Sequence, residues 1–341
     1  MAVSVGNEVW AGVADHPLGP WRNALGDGVP MIPRNFRPGF HMIDAELFVD
    51  DDGAAYVYWG SGLNWTNGRC FVAKLKDDFA TLDGEVHDVT PTNYFEAPFI
   101  LKRNGRYYLM YSNGKTTTDT YRVHYAIGAT PFGPFVEGRN SPILATDQPS
   151  DVISPGHHAV FERDGQHYIL YHRHSVPFDP KFVGRQVCVD RLDFDDDGSM
   201  KKVVPTHDGP AFVRRERPTI SPATARASSQ LDANVGPERA IDDNFATRWA
   251  AAKGDATAWL QVDFGGPREV KRLLIAPEYA WKPSRFKVLA GDDGQTWQTV
   301  SDLSKTDATG SPIVVEANRS ARYFRLEFDG SGASIVDWRF E

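Results

Sequence analysis

Cys70 and Cys188 are the only two cysteines in 341 residues, which excludes a disulfide framework and the paired-cysteine spacing of a zinc site. Long apolar runs are also missing, and nothing approaches the roughly 20 residues that a membrane-crossing helix needs. No block of basic residues occurs. The 37 basic side chains are outnumbered by 45 acidic ones, and the resulting net charge of −8 argues against a nucleic-acid partner. The opening MAVSVGNEVWAGVADHPLGPW has neither the charged start nor the apolar stretch of a signal peptide. No motif for an organic cofactor stands out. Helical periodicity is equally scarce. What the chain does have is 30 Gly, 23 Pro and 12% aromatic residues, distributed as short alternating runs between turn residues.

Those runs repeat. LFVDDDGAAYVYWGS (47–61), FILKRNGRYYLMYSN (99–113) and VFERDGQHYILYHRH (160–174) each read as an apolar run, a charged turn and an aromatic-rich strand. Their turn glycines, Gly53, Gly105 and Gly165, are 52 and 60 residues apart. Asp-Gly and Asn-Gly between alternating hydrophobics signal hairpins. Further strand pairs follow, such as RVHYAIGATPFGPF (122–135), whose ending echoes VWAGVADHPLGPW (9–21). A recurring unit of four short strands predicts propeller blades, about three and a half of them, over residues 1–208. Residues 3–21 are expected to form the last two strands of a blade. A Pro- and charge-rich linker is expected at 209–217. Residues 218–341 again read as short strands, the pattern of a β-sandwich or jelly roll. The fold class is therefore all-β.

Counting back from the turn glycines locates the chemistry. Asp44 stands nine residues before Gly53 and Glu96 nine before Gly105; the same offset in the third repeat falls on Gly156, followed by His157 and His158. Equivalent positions in successive blades share one height near the axis, so two carboxyl groups and a histidine pair are expected to converge. A carboxyl pair is the minimal equipment for glycosidic bond hydrolysis. Trp59, Trp65, Tyr121 and Arg185 are candidate pocket walls, since sugar rings stack on aromatics and hydroxyls bond to guanidinium. Each could equally be a packing or surface residue.

HMIDAELFVDDDG (41–53), FEAPFI (95–100) and PGHHAVF (155–161) resemble glycoside hydrolase family 43, a five-bladed propeller family of arabinofuranosidases, xylosidases and related furanosidases. The resemblance implies inversion, with Glu96 as general acid and Asp44 as the aspartate that tunes its pKa. It implies a substrate-contacting role for Arg185 in GRQVCVD (184–190), and a calcium ion or water cluster on the axis near His157. The family's third carboxylate, the general-base aspartate, belongs to a first blade upstream of all three repeats. Glu8, Asp15 and Asp27 do not match it. The chain is accordingly expected to be an N-terminally incomplete form, a short form closed by a second chain as a homodimer, or one in which another group serves as base.

AIDDNFATRW (240–249), WLQVDFG (259–265), FKVLAGDDGQTW (286–297) and IVDWRF (335–340) resemble the discoidin-like (coagulation factor 5/8 type C) fold, including carbohydrate-binding module family 32. This resemblance implies a structural calcium held by Asp242, Asn244, Thr247 and Asp337, with Asp337 shorter than the usual Glu. Tyr279, Trp281 and Arg285 lie in a loop suited to sugar stacking, though a core role for the aromatics is open. Together these readings predict an exo-acting glycosidase on arabinofuranosides or xylosides. The alternatives are a β-galactofuranosidase and a catalytically silent carbohydrate-binding protein. An oligo- or polysaccharide partner and secretion or periplasmic export of the full-length form are expected.

Overall fold

All three glycine turns close hairpins where the spacing puts them. Asn104 (φ 50°) with Gly105 (φ 70°), and Asp164 (φ 53°) with Gly165 (φ 76°), are paired positive-φ residues, as a two-residue type I′ turn requires. The first turn is longer: the Gly53 N–H donates to the Asp50 carbonyl at 2.9 Å. The computed structural model describes residues 1–181, 184–207, 209–212 and 220–341. Residue 208, which ends the expected propeller, residues 213–217 of the expected linker, and 218–219 at the start of the expected sandwich lie outside the described residues. The chain separates into two units, Met1–His174 with Pro180–Thr206, and Ser175–Asp179 with His207–Glu341.

In the first unit four antiparallel sheets follow one another. The first contains β1 (Ala2–Ser4), β2 (Val9–Val13) and β3 (Arg22–Asn23). The second contains β4 (Glu46–Val49), β5 (Ala55–Trp59), β6 (Phe71–Leu75) and β7 (Leu82–Asp88). The third is β8 (Glu96–Arg103), β9 (Arg106–Asn113), β10 (Arg122–Gly128) and β11 (Val136–Glu137), and the fourth β12 (Gly156–Arg163), β13 (Gln166–His174) and β14 (Arg185–Leu192). The first sheet has three strands where two were expected, because Ala2–Ser4 pairs back onto β2 with Ala2 opposite Ala11.

These sheets are up-and-down units in sequence order, as propeller blades are. Their packing follows the same logic. Val9 and Ala11 of the first sheet share a core with Val57, Trp59 and Phe71 of the second. Tyr58 and Val72 of the second share another with Leu109 and Tyr111 of the third. Tyr108 and Met110 of the third share a further one with Ile169 and Tyr171 of the fourth. A strand covered on both faces loses its alternation, and β5 is buried at every position from Ala55 to Trp59.

The second unit is a sandwich built on two long strands. Its elements are β15 (Thr224–Ala227), β16 (Trp249–Ala250), β17 (Trp259–Pro277), β18 (Phe286–Gly291), β19 (Gln298–Asp302), β20 (Ile313–Phe328) and β21 (Ser334–Phe340). The order is β16-β21-β17-β20-β18-β19, with β15 also on β17. Alternation sends Leu260, Val262 and Phe264 inward to meet Trp249, Phe286, Phe324 and Trp338. Because Phe286 is fully buried in this core, Phe286→Ala should cost about 3–5 kcal/mol, read as a lower midpoint in denaturant at unchanged slope.

Candidate active site

Asp44, Glu96 and Gly156 occupy the entries to β4, β8 and β12, each the first strand and one edge of its sheet. At two of these entries the strand is bulged. Pairing slips between Glu96 and Phe99 and again between Gly156 and Ala159. Ala97 (φ 57°) and His157 (φ 44°) take left-handed conformations there, and so does Asp44 (φ 60°) just before β4. Such residues cost about 1–3 kcal/mol each and are kept where the backbone must re-aim a side chain.

The Glu96 carboxylate is held from two sides. The Ser61 hydroxyl donates to Oε2 at 2.9 Å and the Tyr121 hydroxyl to Oε1 at 2.5 Å. Tyr121 is itself fixed, 1% exposed and stacked on His172 with ring centres 5.6 Å apart. Gly156 explains why the third repeat carries no carboxylate at the matching position. A Cβ there would fall 2.2 Å from the Tyr121 ring, so the side chain that reaches Glu96 uses the space.

Asp44 lies beside this acid. Its carboxyl accepts the N–H of Ala97, the residue directly after Glu96. Burial pushes its pKa up to about 6; the His157 and Arg185 charges pull it down and the Glu96 charge pushes it up. Arg185, His172 and His174 complete the cluster. Burial first, and then the nearby Arg185, lower His172 to about 3 and also lower His174, so both rings stay neutral near pH 7. The His174 Nε2 is 3.0 Å from the Thr116 hydroxyl.

The sequence-derived residues divide. Asp44, Glu96, His157, Arg185 and Tyr121 come together. Trp65 lines a neighbouring cleft with Phe95. Trp59 does not form a pocket wall: it is fully buried in the core against Phe36 and Phe71, both at 5.8 Å. Sequence reasoning missed Ser61, His172, His174 and Glu46. The two-residue spacing of His172 and His174 in HRH places them on one face of β13, a signal that was readable. Glu46, two residues after Asp44, is raised to about 7 by burial. The axial group expected near His157 is better matched by its neighbour. His158 is 6% exposed with both ring nitrogens unpartnered, whereas His157 is exposed. No three-donor cluster surrounds it among the described residues, so an ion there would be held chiefly through water.

In the second unit Tyr279 and Arg285 line a cleft of about 280 Å³. Trp281, 71% exposed, lies outside its walls and meets Tyr279 edge-on at 5.4 Å. Lys282 Nζ covers the Tyr279 ring at 3.6 Å, and Arg285 pairs with Asp307 at 2.8 Å. The expected calcium donors also gather, but as a set they do not fit the ion. Thr247 donates to Asp242 Oδ2 at 2.7 Å, and Asn244 Oδ1 accepts the Ala246 N–H at 2.9 Å. Asp337, 2% exposed, forms an ion pair with Arg339 Nε at 2.6 Å. The Arg339 guanidinium thus already occupies one side of the most buried carboxylate of the set, which burial still raises to about 6. Among the described residues no three acidic, His or Cys side chains are disposed around a metal position.

The architecture is that of a glycosidase family. The model of glycosyl hydrolases family 43 matches residues 2–200 and that of the F5/8 type C domain matches residues 224–339. The chain belongs to glycosyl hydrolases family 43, with a discoidin-like domain following. A solved structure described as a glycoside hydrolase superposes with a TM-score of 0.78 at 28% identity, covering 98% of this chain and 79% of that one. A beta-D-galactofuranosidase of Aspergillus niger is 36% identical over 211 residues, 60% of this chain and 59% of that protein. An arabinoxylan arabinofuranohydrolase of Paenibacillus polymyxa is 26% identical over 374 residues, 96% of this chain and 55% of that protein. The chain thus spans somewhat over half the length of these curated relatives.

Two predictions follow from the electrostatics. A carboxyl whose pKa is raised on folding contributes stability below its unfolded value, and this is lost as pH rises through the folded one. Asp44→Asn should therefore raise the melting temperature at pH 7, above the value of about 6, and leave it unchanged at pH 3.5. With Arg339 in place, neither calcium nor EDTA should move the melting temperature. Differential scanning calorimetry checks both, and a calcium-dependent rise of several degrees would contradict the second.

Proposed function

We propose that the first unit carries the acid half of an inverting, exo-acting glycosidase site for arabinofuranosides or xylosides, and that the second is a carbohydrate-binding module. The observation that carries the reading is the convergence of Asp44 and Glu96, joined through the Ala97 N–H, beside Arg185 and His157.

In this reading Glu96 gives its proton to the glycosidic oxygen. The C–O bond breaks with its electron pair on that oxygen, while water adds to the anomeric carbon from the opposite face and loses a proton to a carboxylate base. The resemblance assigns that base to an aspartate upstream of the three repeats. Ser61 and Tyr121 fix the angle at which Glu96 presents its oxygen. Asp44 lies beside the acid with its charge coupled to that of Glu96. Arg185 and the neutral His172 and His174 supply donors and acceptors for the hydroxyls of the terminal sugar. A homodimer, if formed, would use the outer edge of β1. A β-galactofuranoside substrate is the second reading, favoured by the name of the 36%-identical relative.

Hydrolysis of nitrophenyl arabinofuranoside, xyloside and galactofuranoside by the 341-residue chain tests the reading. With the base supplied by upstream sequence or by a second chain, at least one should be turned over, and Glu96→Gln should lower that rate by about 10²–10⁴-fold. Rates equal to those of Glu96→Gln on all three would favour the silent carbohydrate-binding protein instead.

A further inference from the structure

The loop that fixes the acid carries a second feature. Residues 60–68 leave β5 and return to β6 pressed against Phe95, the residue before Glu96. Glycines make the approach possible. A Cβ on Gly62 would fall 2.7 Å from the Phe95 ring, and one on Gly68 would fall 2.2 Å from the Phe95 carbonyl oxygen. The Gly62 N–H donates to that carbonyl at 3.2 Å, and the adjacent Ser61 donates to Glu96. Four residues after Ser61, Trp65 is held at φ 62°, between Asn64 at 52° and Asn67 at 56°. A bulky side chain enters this left-handed region only where its surroundings impose it, and such strain gathers at ligand clamps.

Trp65 stacks on Phe95 with ring centres 5.6 Å apart and planes 28° from parallel. Both rings line a cleft of about 590 Å³, whose polar wall includes Asn113, Lys115, Asp119 and Arg122. Its size falls within the roughly 300–1,000 Å³ of small-molecule sites. Asp44, His157 and Arg185 are not among its walls. The cleft therefore adjoins the acid through Phe95 and is separate from the pocket that would take the terminal sugar.

We propose that this cleft binds the saccharide that departs with the glycosidic oxygen, with Trp65 as the stacking platform for its first ring. The inference rests on the reading of Glu96 as general acid, because an acid protonates the leaving oxygen and the leaving sugar must lie on its side. The chemistry of the cleft suits a sugar: aromatic faces for the C–H side of a ring, and amide, ammonium, carboxylate and guanidinium groups for its hydroxyls. Ser61 and Trp65 share one short loop, so a sugar seated on Trp65 is held in register with the acid. Trp65 is thus a specificity-determining residue for the size of the leaving group.

The test compares substrates that share a terminal sugar but differ in what departs. Trp65→Ala should lower kcat/KM for an arabinose-substituted xylo-oligosaccharide at least tenfold, chiefly through KM. It should change the rate on methyl arabinofuranoside, whose leaving group has no ring to stack, by no more than about twofold, and Trp65→Phe should restore most of the loss. Equal losses on both substrates, or no loss on either, would overturn the proposal. A direct binding measurement separates its failure from failure of the proposed function. Calorimetric titration with xylohexaose and arabinohexaose, in a Trp281→Ala background, needs no turnover. At least tenfold weaker binding of either sugar by Trp65→Ala supports the site. Unchanged affinity, or no binding of either sugar before Trp65 is replaced, refutes it.

Discussion

The Tyr121 ring can reach Glu96 only because position 156 has no side chain. From that steric allowance the rest of the candidate site is built. The ring fills the entry to β12, stacks on His172 and delivers its hydroxyl to the acid. Ser61 closes the other side of the carboxylate from the neighbouring sheet. Glu96 is thereby clamped by groups from two directions, in a setting where the alternative to a hydrogen bond is an uncompensated polar group. The bulges at Ala97 and His157 belong to the same arrangement, since a regular strand would alternate these side chains to faces that do not meet.

Much of this was legible from spacing. The glycine turns fix where each hairpin reverses, and counting nine residues back from them reaches Asp44 and Glu96. Burial was harder to read. Trp59 looks like a platform in sequence, but β5 is covered on both faces, and alternation carries no information in a strand with no solvent side. Ser61 was invisible because its partner is 35 residues away and the contact depends on the path of a glycine-rich loop. The Arg339 side chain, which meets Asp337 from two residues along β21, was equally hard to foresee.

Each unit buries an aspartate whose pKa is raised to about 6. Around Asp44 and Glu96, opposing charges are kept close but incompletely neutralised, so Asp44 sits near the point where its proton is exchangeable at mildly acid pH. Around Asp337 burial has the same effect, with the Arg339 charge pulling the other way. The first arrangement suits a site that must handle a proton during each cycle.

The placement of the hydrophobic clusters also bears on how the first unit forms. Each cluster lies between consecutive sheets, so no sheet owns a core of its own. Hairpins can pair quickly through short loops, but each gains lasting stability only when the next sheet docks against it. The unit is in this sense a chain of nearest-neighbour couplings, in which assembly propagates from whichever pair of sheets meets first. A lesion in one inter-sheet cluster loosens the two sheets that share it, and reaches the others only through their common neighbours.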